Sequence, residues 1–174
     1  LETVGGSIAV QYNLAMETLD LSSLTSTGGF LSIYVNDSLS EVDLPSLATV
    51  GPEDASNNVL YVRLNGSASR ISMPELLRVS GVLKISSNHR ATELAMPKLE
   101  TIGHGLYVSY NARLDTIELP VTQIGRWLYF DHTNATSISL PRLERVGDNF
   151  EVIFNEALTD ISAPALTSVG AGLV

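Results

Sequence analysis

Apolar residues recur along the chain in short bursts, each alternating with polar positions. The first kind reads L-x-[IV]-x-x-N and occurs as LSIYVN (31–36), LYVRLN (60–65), LKISSN (83–88), LYVSYN (106–111) and FEVIFN (150–155). The second reads [LIV]-x-[LM]-P, as in VDLP (42–45), ISMP (71–74), LAMP (94–97), IELP (117–120) and ISLP (138–141). The third, L-x-x-[VI]-G, is seen as LATVG (47–51), LETIG (99–103) and LERVG (143–147). Period two in the first two phrases marks half-buried strands. The third is too short for periodicity to decide. No window of eleven residues holds a helical spacing.

The phrases return in fixed order. The residues that begin the third phrase are Leu1, Leu24, Leu47, Leu76, Leu99, Val121, Leu143 and Leu166, at intervals of 23, 23, 29, 23, 22, 22 and 23. Three short strands and three corners in about 23 residues make one coil, and stacked coils bury equivalent residues in columns. The expected fold is all-β, a right-handed parallel β-solenoid of about seven and a half coils. Residues 1–174 form one domain, expected to be a piece of a longer protein. Three inward columns follow: Ile8, Leu31, Leu60, Leu83, Leu106, Leu128, Phe150; then Leu19, Val42, Ile71, Leu94, Ile117, Ile138, Ile161; then Val4, Thr27, Val50, Val79, Ile102, Ile124, Val146, Val169. Pro closes the second phrase and should end its strand. Gly after the third should supply a tight corner.

An Asn ends the first phrase at 13, 36, 65, 88, 111 and 155, with Thr133 or Asn134 in the remaining unit. Such a row could bind a ligand. Its presence in every unit instead favours a structural ladder that satisfies corner backbone groups.

The motif L-x-[IV]-x-x-N-x-x-L-x-x-[LIV]-x-L-P-x-L-x-x-V-G-G resembles the receptor L domain, the leucine-rich-repeat-like β-helix of insulin- and EGF-receptor ectodomains. It is more similar still to fungal GPI-anchored cell-wall-organisation proteins of the Ecm and Sps type. The resemblance covers essentially the whole chain, although Cys, which those families carry, is absent here. It implies an extracellular, cell-surface or cell-wall location, a GPI anchor, and a non-enzymatic role in wall organisation or ligand binding.

Charge narrows the partners. Ten Lys and Arg stand against 19 Asp and Glu, a net charge of −9, and the basic residues are scattered singly. Nucleic acid and anionic membrane surfaces are therefore poor partners. No apolar run reaches the ~20 residues of a membrane span. Three sequons, Asn36-Asp37-Ser38, Asn65-Gly66-Ser67 and Asn134-Ala135-Thr136, fit an exported glycoprotein. Asn36 and Asn65 fall in the ladder column, where a buried amide cannot carry a glycan. Asn134, in a coil trimmed by one residue, is the better acceptor.

Two outward columns flank the first inward one: Ala9, Ser32, Tyr61, Lys84, Tyr107, Tyr129, Glu151, and Gln11, Tyr34, Arg63, Ser86, Ser109, Asp131, Ile153. Four tyrosines share this face, and an aromatic ring with a polar tip suits a glycan or a protein partner. Candidate ligand contacts are Tyr34, Tyr61, Arg63, Lys84, Tyr107, Tyr129 and Asp131. The plainer explanation is that Tyr favours strands. Asp131 and Glu151 lie diagonally on adjacent coils, with Cα atoms about 8 Å apart. That is compatible with the ~6.5–9.5 Å between the carboxyl groups of inverting glycosidases, so a hydrolase is the alternative and a bare structural spacer a third reading. His89, His104 and His132 fall in a corner, a Gly turn and the irregular coil, and are expected not to share a face at ligand spacing. No metal site or cofactor is predicted. The loop GPEDASNNV (51–59) is an expected exposed insertion.

Overall fold

The computed structural model describes residues 1–52 and 59–174, so most of the 51–59 insertion lies outside the described residues. Every strand pairing in it is parallel, and no described residue is helical. The first phrase builds a seven-stranded sheet: Ile8–Gln11, Leu31–Tyr34, Val59–Arg63, Val82–Ser86, Leu106–Ser109, Leu128–Asp131 and Phe150–Ile153. The third builds an eight-stranded sheet of two-residue strands, from Thr3–Val4 to Ser168–Val169. The second phrase forms two three-stranded sheets. One runs from Val42–Asp43 to Glu93–Ala95 and the other from Thr116–Glu118 to Asp160–Ser162. The chain is a parallel β-solenoid of about seven turns with coils of about 23 residues.

Register follows the repeat letter by letter. Leu31 pairs with Leu60, Leu60 with Leu83, Leu83 with Leu106 and Leu106 with Leu128. The inward residues interlock in one continuous core from Leu24 to Phe150. Burial of each such aliphatic contributes about 1.5–3 kcal/mol before conformational entropy. A further inward column, Met16, Leu39, Ala68, Ala91, Leu114, Ala135 and Leu158, lies between the Asn corner and the second strand. The columns open at both ends: Leu1 and Ile161 are exposed.

The corners have distinct causes. At the Pro corner the residue before Pro accepts a bond from three residues on, as in Leu47 N–H to Leu44 O at 3.2 Å and Leu76 N–H to Met73 O at 3.1 Å. Pro therefore occupies the second position of a β-turn, for which its fixed φ is suited, besides ending the strand. The Gly corner does not use left-handed backbone in the coils after Gly51, where φ is 80°. It uses the missing side chain. A Cβ on Gly125 would lie 1.9 Å from Gly103 O, and one on Gly147 would lie 1.8 Å from Gly125 O. At these corners the stacked coils come too close for a side chain; the one exception, Ser80, sits next to Gly51, and its Oγ donates to Gly51 O at 2.9 Å.

The Asn corner carries the backbone strain. Tyr12, Val35, Leu64, Ser87, Tyr110, His132 and Phe154, each just before the ladder position, have φ between 46° and 59°. Left-handed backbone costs a non-Gly residue about 1–2 kcal/mol. The ladder holds it in place. Asn36 donates its N–H and Nδ2 to Asn65 Oδ1 and Nδ2 again to Val10 O. Asn65 and Asn88 repeat the scheme with the next Asn, and all of Asn36, Asn65, Asn88 and Asn111 are fully buried. The ladder is structural. It runs unbroken from Asn13 to Asn111, then meets Thr133, which has no amide to offer Asn111.

Candidate ligand-binding face

The outward side of the seven-stranded sheet bears the predicted columns in register. Ser32 pairs with Tyr61, Tyr61 with Lys84, Lys84 with Tyr107, Tyr107 with Tyr129 and Tyr129 with Glu151. Side chains turn this register into an aromatic strip along the solenoid axis. Ring centroids of Tyr34 and Tyr61 are 5.8 Å apart, and those of Tyr107 and Tyr129 are 6.0 Å apart. Between the two pairs, Lys84 Nζ sits 5.9 Å from the Tyr61 ring and 5.7 Å from the Tyr107 ring. It bridges them by cation–π attraction. Tyr12 adds its edge to Tyr34 at 5.2 Å, extending the strip by one coil. Gly105 leaves room for the strip: a Cβ there would meet Tyr107 Cε2 at 2.9 Å. The GHG segment serves packing.

Polar groups flank the rings. Arg63 Nη1 donates to Tyr61 Oη at 2.9 Å, and this bond holds the guanidinium pKa above its ordinary value despite some burial. Beneath the rings, Arg63 Nε and the neighbouring Ser86 Oγ are buried without a hydrogen-bond partner among the described residues. Burial pushes the Tyr107 hydroxyl pKa upward, with the Glu151 carboxylate adding to the effect and Arg126 opposing it. Tyr129 shifts the same way, through burial first and then the charge of Asp131.

Asp131 and Glu151 lie one strand apart on the predicted diagonal. Each is engaged. The Asp131 side chain is 8% exposed and paired with His132 Nδ1, while Glu151 Oε1 accepts from Asn149 Nδ2 at 2.9 Å. Asp131 therefore lies beneath the face rather than on it, apart from the six exposed or half-buried candidates.

A second aromatic cluster escaped the strand pattern. Period two would place the residue before each ladder position inward, but its left-handed backbone turns it out at the corner. Tyr110 and His132 stack there at 4.6 Å with planes 12° apart, and Phe154 follows His132 at 5.0 Å. His89 and His132 line one groove at this corner, whereas His104 sets its edge against Trp127. The available signal was the apolar or aromatic residue before the Asn in most repeats.

Of the sequons, Asn36 and Asn65 are fully buried with their amides bonded in the ladder, whereas Asn134 is exposed. Among the acidic residues near the second strand, Arg70 bridges Glu93 at 3.1 Å and Asp43 at 4.0 Å across neighbouring coils. Comparison with protein-family models, with curated proteins and with solved structures gave no significant match.

Proposed function

We propose that this chain is a non-enzymatic binding module, exported to the cell surface or cell wall, that recognises a glycan through the tyrosine strip. One observation carries the reading: the half-buried rings of Tyr34, Tyr61, Tyr107 and Tyr129 form one outward strip, with Lys84 seated between the two pairs. Flat rings suit the C–H face of a sugar, and the Lys84 ammonium between them suits its hydroxyls. A protein ligand is the second reading. It is favoured by Phe30, an exposed aromatic that shares with Tyr61 an apolar depression of about 330 Å³.

A role in wall organisation rests on the sequence resemblance. The hydrolase reading is disfavoured because the Asp131 side chain is only 8% exposed and lies beneath the face, not in an open substrate cleft beside Glu151. A glycan array run with parallel turnover assays tests the proposal. Saturable binding without product supports it; product lost in Asp131→Asn contradicts it.

A further inference from the structure

The groove at the Asn corner is a second site, and its position identifies its occupant. Tyr110, His132 and Phe154 line it together with Ala112, Asn134 and Glu156, enclosing about 430 Å³. Phe154 is 69% exposed, an unusual position for a large apolar ring on a finished surface.

The ladder explains how Asn134 comes to lie here. Thr133 takes the ladder place in this coil, donating its N–H and Oγ1 to Asn155 Oδ1 at 2.9 and 2.7 Å. The Asn that the ladder would have used is thereby moved one residue on and outward. Ala135 is buried, and Thr136, the third sequon residue, is exposed. The two competing sequons are sealed in the core. Only Asn134 combines an accessible acceptor amide with an aromatic groove at its side.

We propose that Asn134 carries an N-linked glycan whose first sugar packs into this groove, against the exposed ring of Phe154 and the edges of Tyr110 and His132. In the transfer step Asn134 Nδ2 attacks C1 of a lipid-pyrophosphate-linked oligosaccharide. The C1–N bond forms as the C1–O bond breaks, the lipid pyrophosphate leaves, and Nδ2 gives up one proton. The sugar then sets its apolar C–H surface on the rings while its hydroxyls and acetamide stay in water. The glycan in this account is part of the scaffold, not a ligand. It rests on the exported reading above but is independent of what the tyrosine strip binds.

The test is to secrete the 174-residue chain from a yeast host, map the glycan by mass spectrometry and compare melting midpoints after enzymatic trimming. Trimming to a single N-acetylglucosamine should leave the midpoint unchanged. Complete removal, with Asn134→Asp as the matching baseline, should lower it by about 2–4 °C. In Phe154→Ala that drop should shrink by at least half; Tyr110→Ala serves as the second variant should Phe154→Ala fold poorly. An unmodified Asn134, a midpoint indifferent to the first sugar, or an equal drop in the variants overturns the proposal. Unchanged glycan-array binding by the deglycosylated chain would separate failure here from failure of the tyrosine face.

Discussion

Asn65 gives both its backbone N–H and its Nδ2 to one oxygen, the Oδ1 of Asn88 in the next coil, at 3.2 and 3.3 Å. Asn88 in turn sends Nδ2 to Val62 O at 3.0 Å. One buried amide thus ties three coils and holds the left-handed Leu64 and Ser87 corners on either side. Asn88→Ala strands buried donors without water, at about 1–3 kcal/mol for each. Urea unfolding should show a loss of about 3 kcal/mol or more. Asn13→Ala, at the exposed first rung, should cost less than about 1 kcal/mol. Equal losses at the two positions would contradict a buried ladder.

The break at Thr133 suggests the opposite experiment. Thr133→Asn supplies an Oδ1 where Asn111 has none to bond in the following coil. Completing the ladder should stabilise the chain by about 1 kcal/mol, read as a rise of about 2–4 °C in melting midpoint. A lower midpoint would show that the trimmed coil cannot admit the amide.

Gly125→Ala tests the Gly corner. Its Cβ would meet a backbone carbonyl at 1.9 Å, and a carbonyl cannot swing aside as a side chain could. The coils must separate, at a cost of about 3 kcal/mol, the upper end for overpacking. Gly5→Ala, with nothing within 4 Å, should leave the thermal midpoint within a degree or two.

Tyr107 makes the stability depend on alkaline pH. Its hydroxyl pKa is raised in the folded chain, so the folded state keeps a proton that the unfolded state releases above about pH 10. The stability it contributes is complete below that pH and declines as pH rises through the folded-state pKa. Tyr107→Phe should flatten the decline measured by urea unfolding between about pH 9 and 11. An unchanged slope would contradict the shift.

Most of the scaffold was legible because a solenoid writes the same constraint many times. Leu31, Leu60, Leu83 and Leu106 pair as the repeat spacing requires, and each copy corroborates the others. The tyrosine column was legible for the same reason, since period two on a known strand fixes which side chains face out. Three things were not. The left-handed φ at Tyr110, His132 and Phe154 breaks period two locally, and those residues are not Gly, so only the recurring apolar or aromatic residue before the Asn hinted at it. The Gly corner requires space rather than a special dihedral, which only the stacked neighbour reveals. Lys84 lying between the Tyr61 and Tyr107 rings depends on rotamers, which register alone does not fix.

The most direct test of the account is the affinity of the strongest glycan-array ligand for the wild-type chain and for Tyr107→Ala, measured by titration calorimetry. Tyr107 is half-buried on the outward face and outside the core, so the variant should melt within a few degrees of wild type. The account predicts at least a tenfold loss of affinity, about 1.4 kcal/mol, with no turnover by either protein. Equal affinity in the two, or product formation by the wild type, would contradict it.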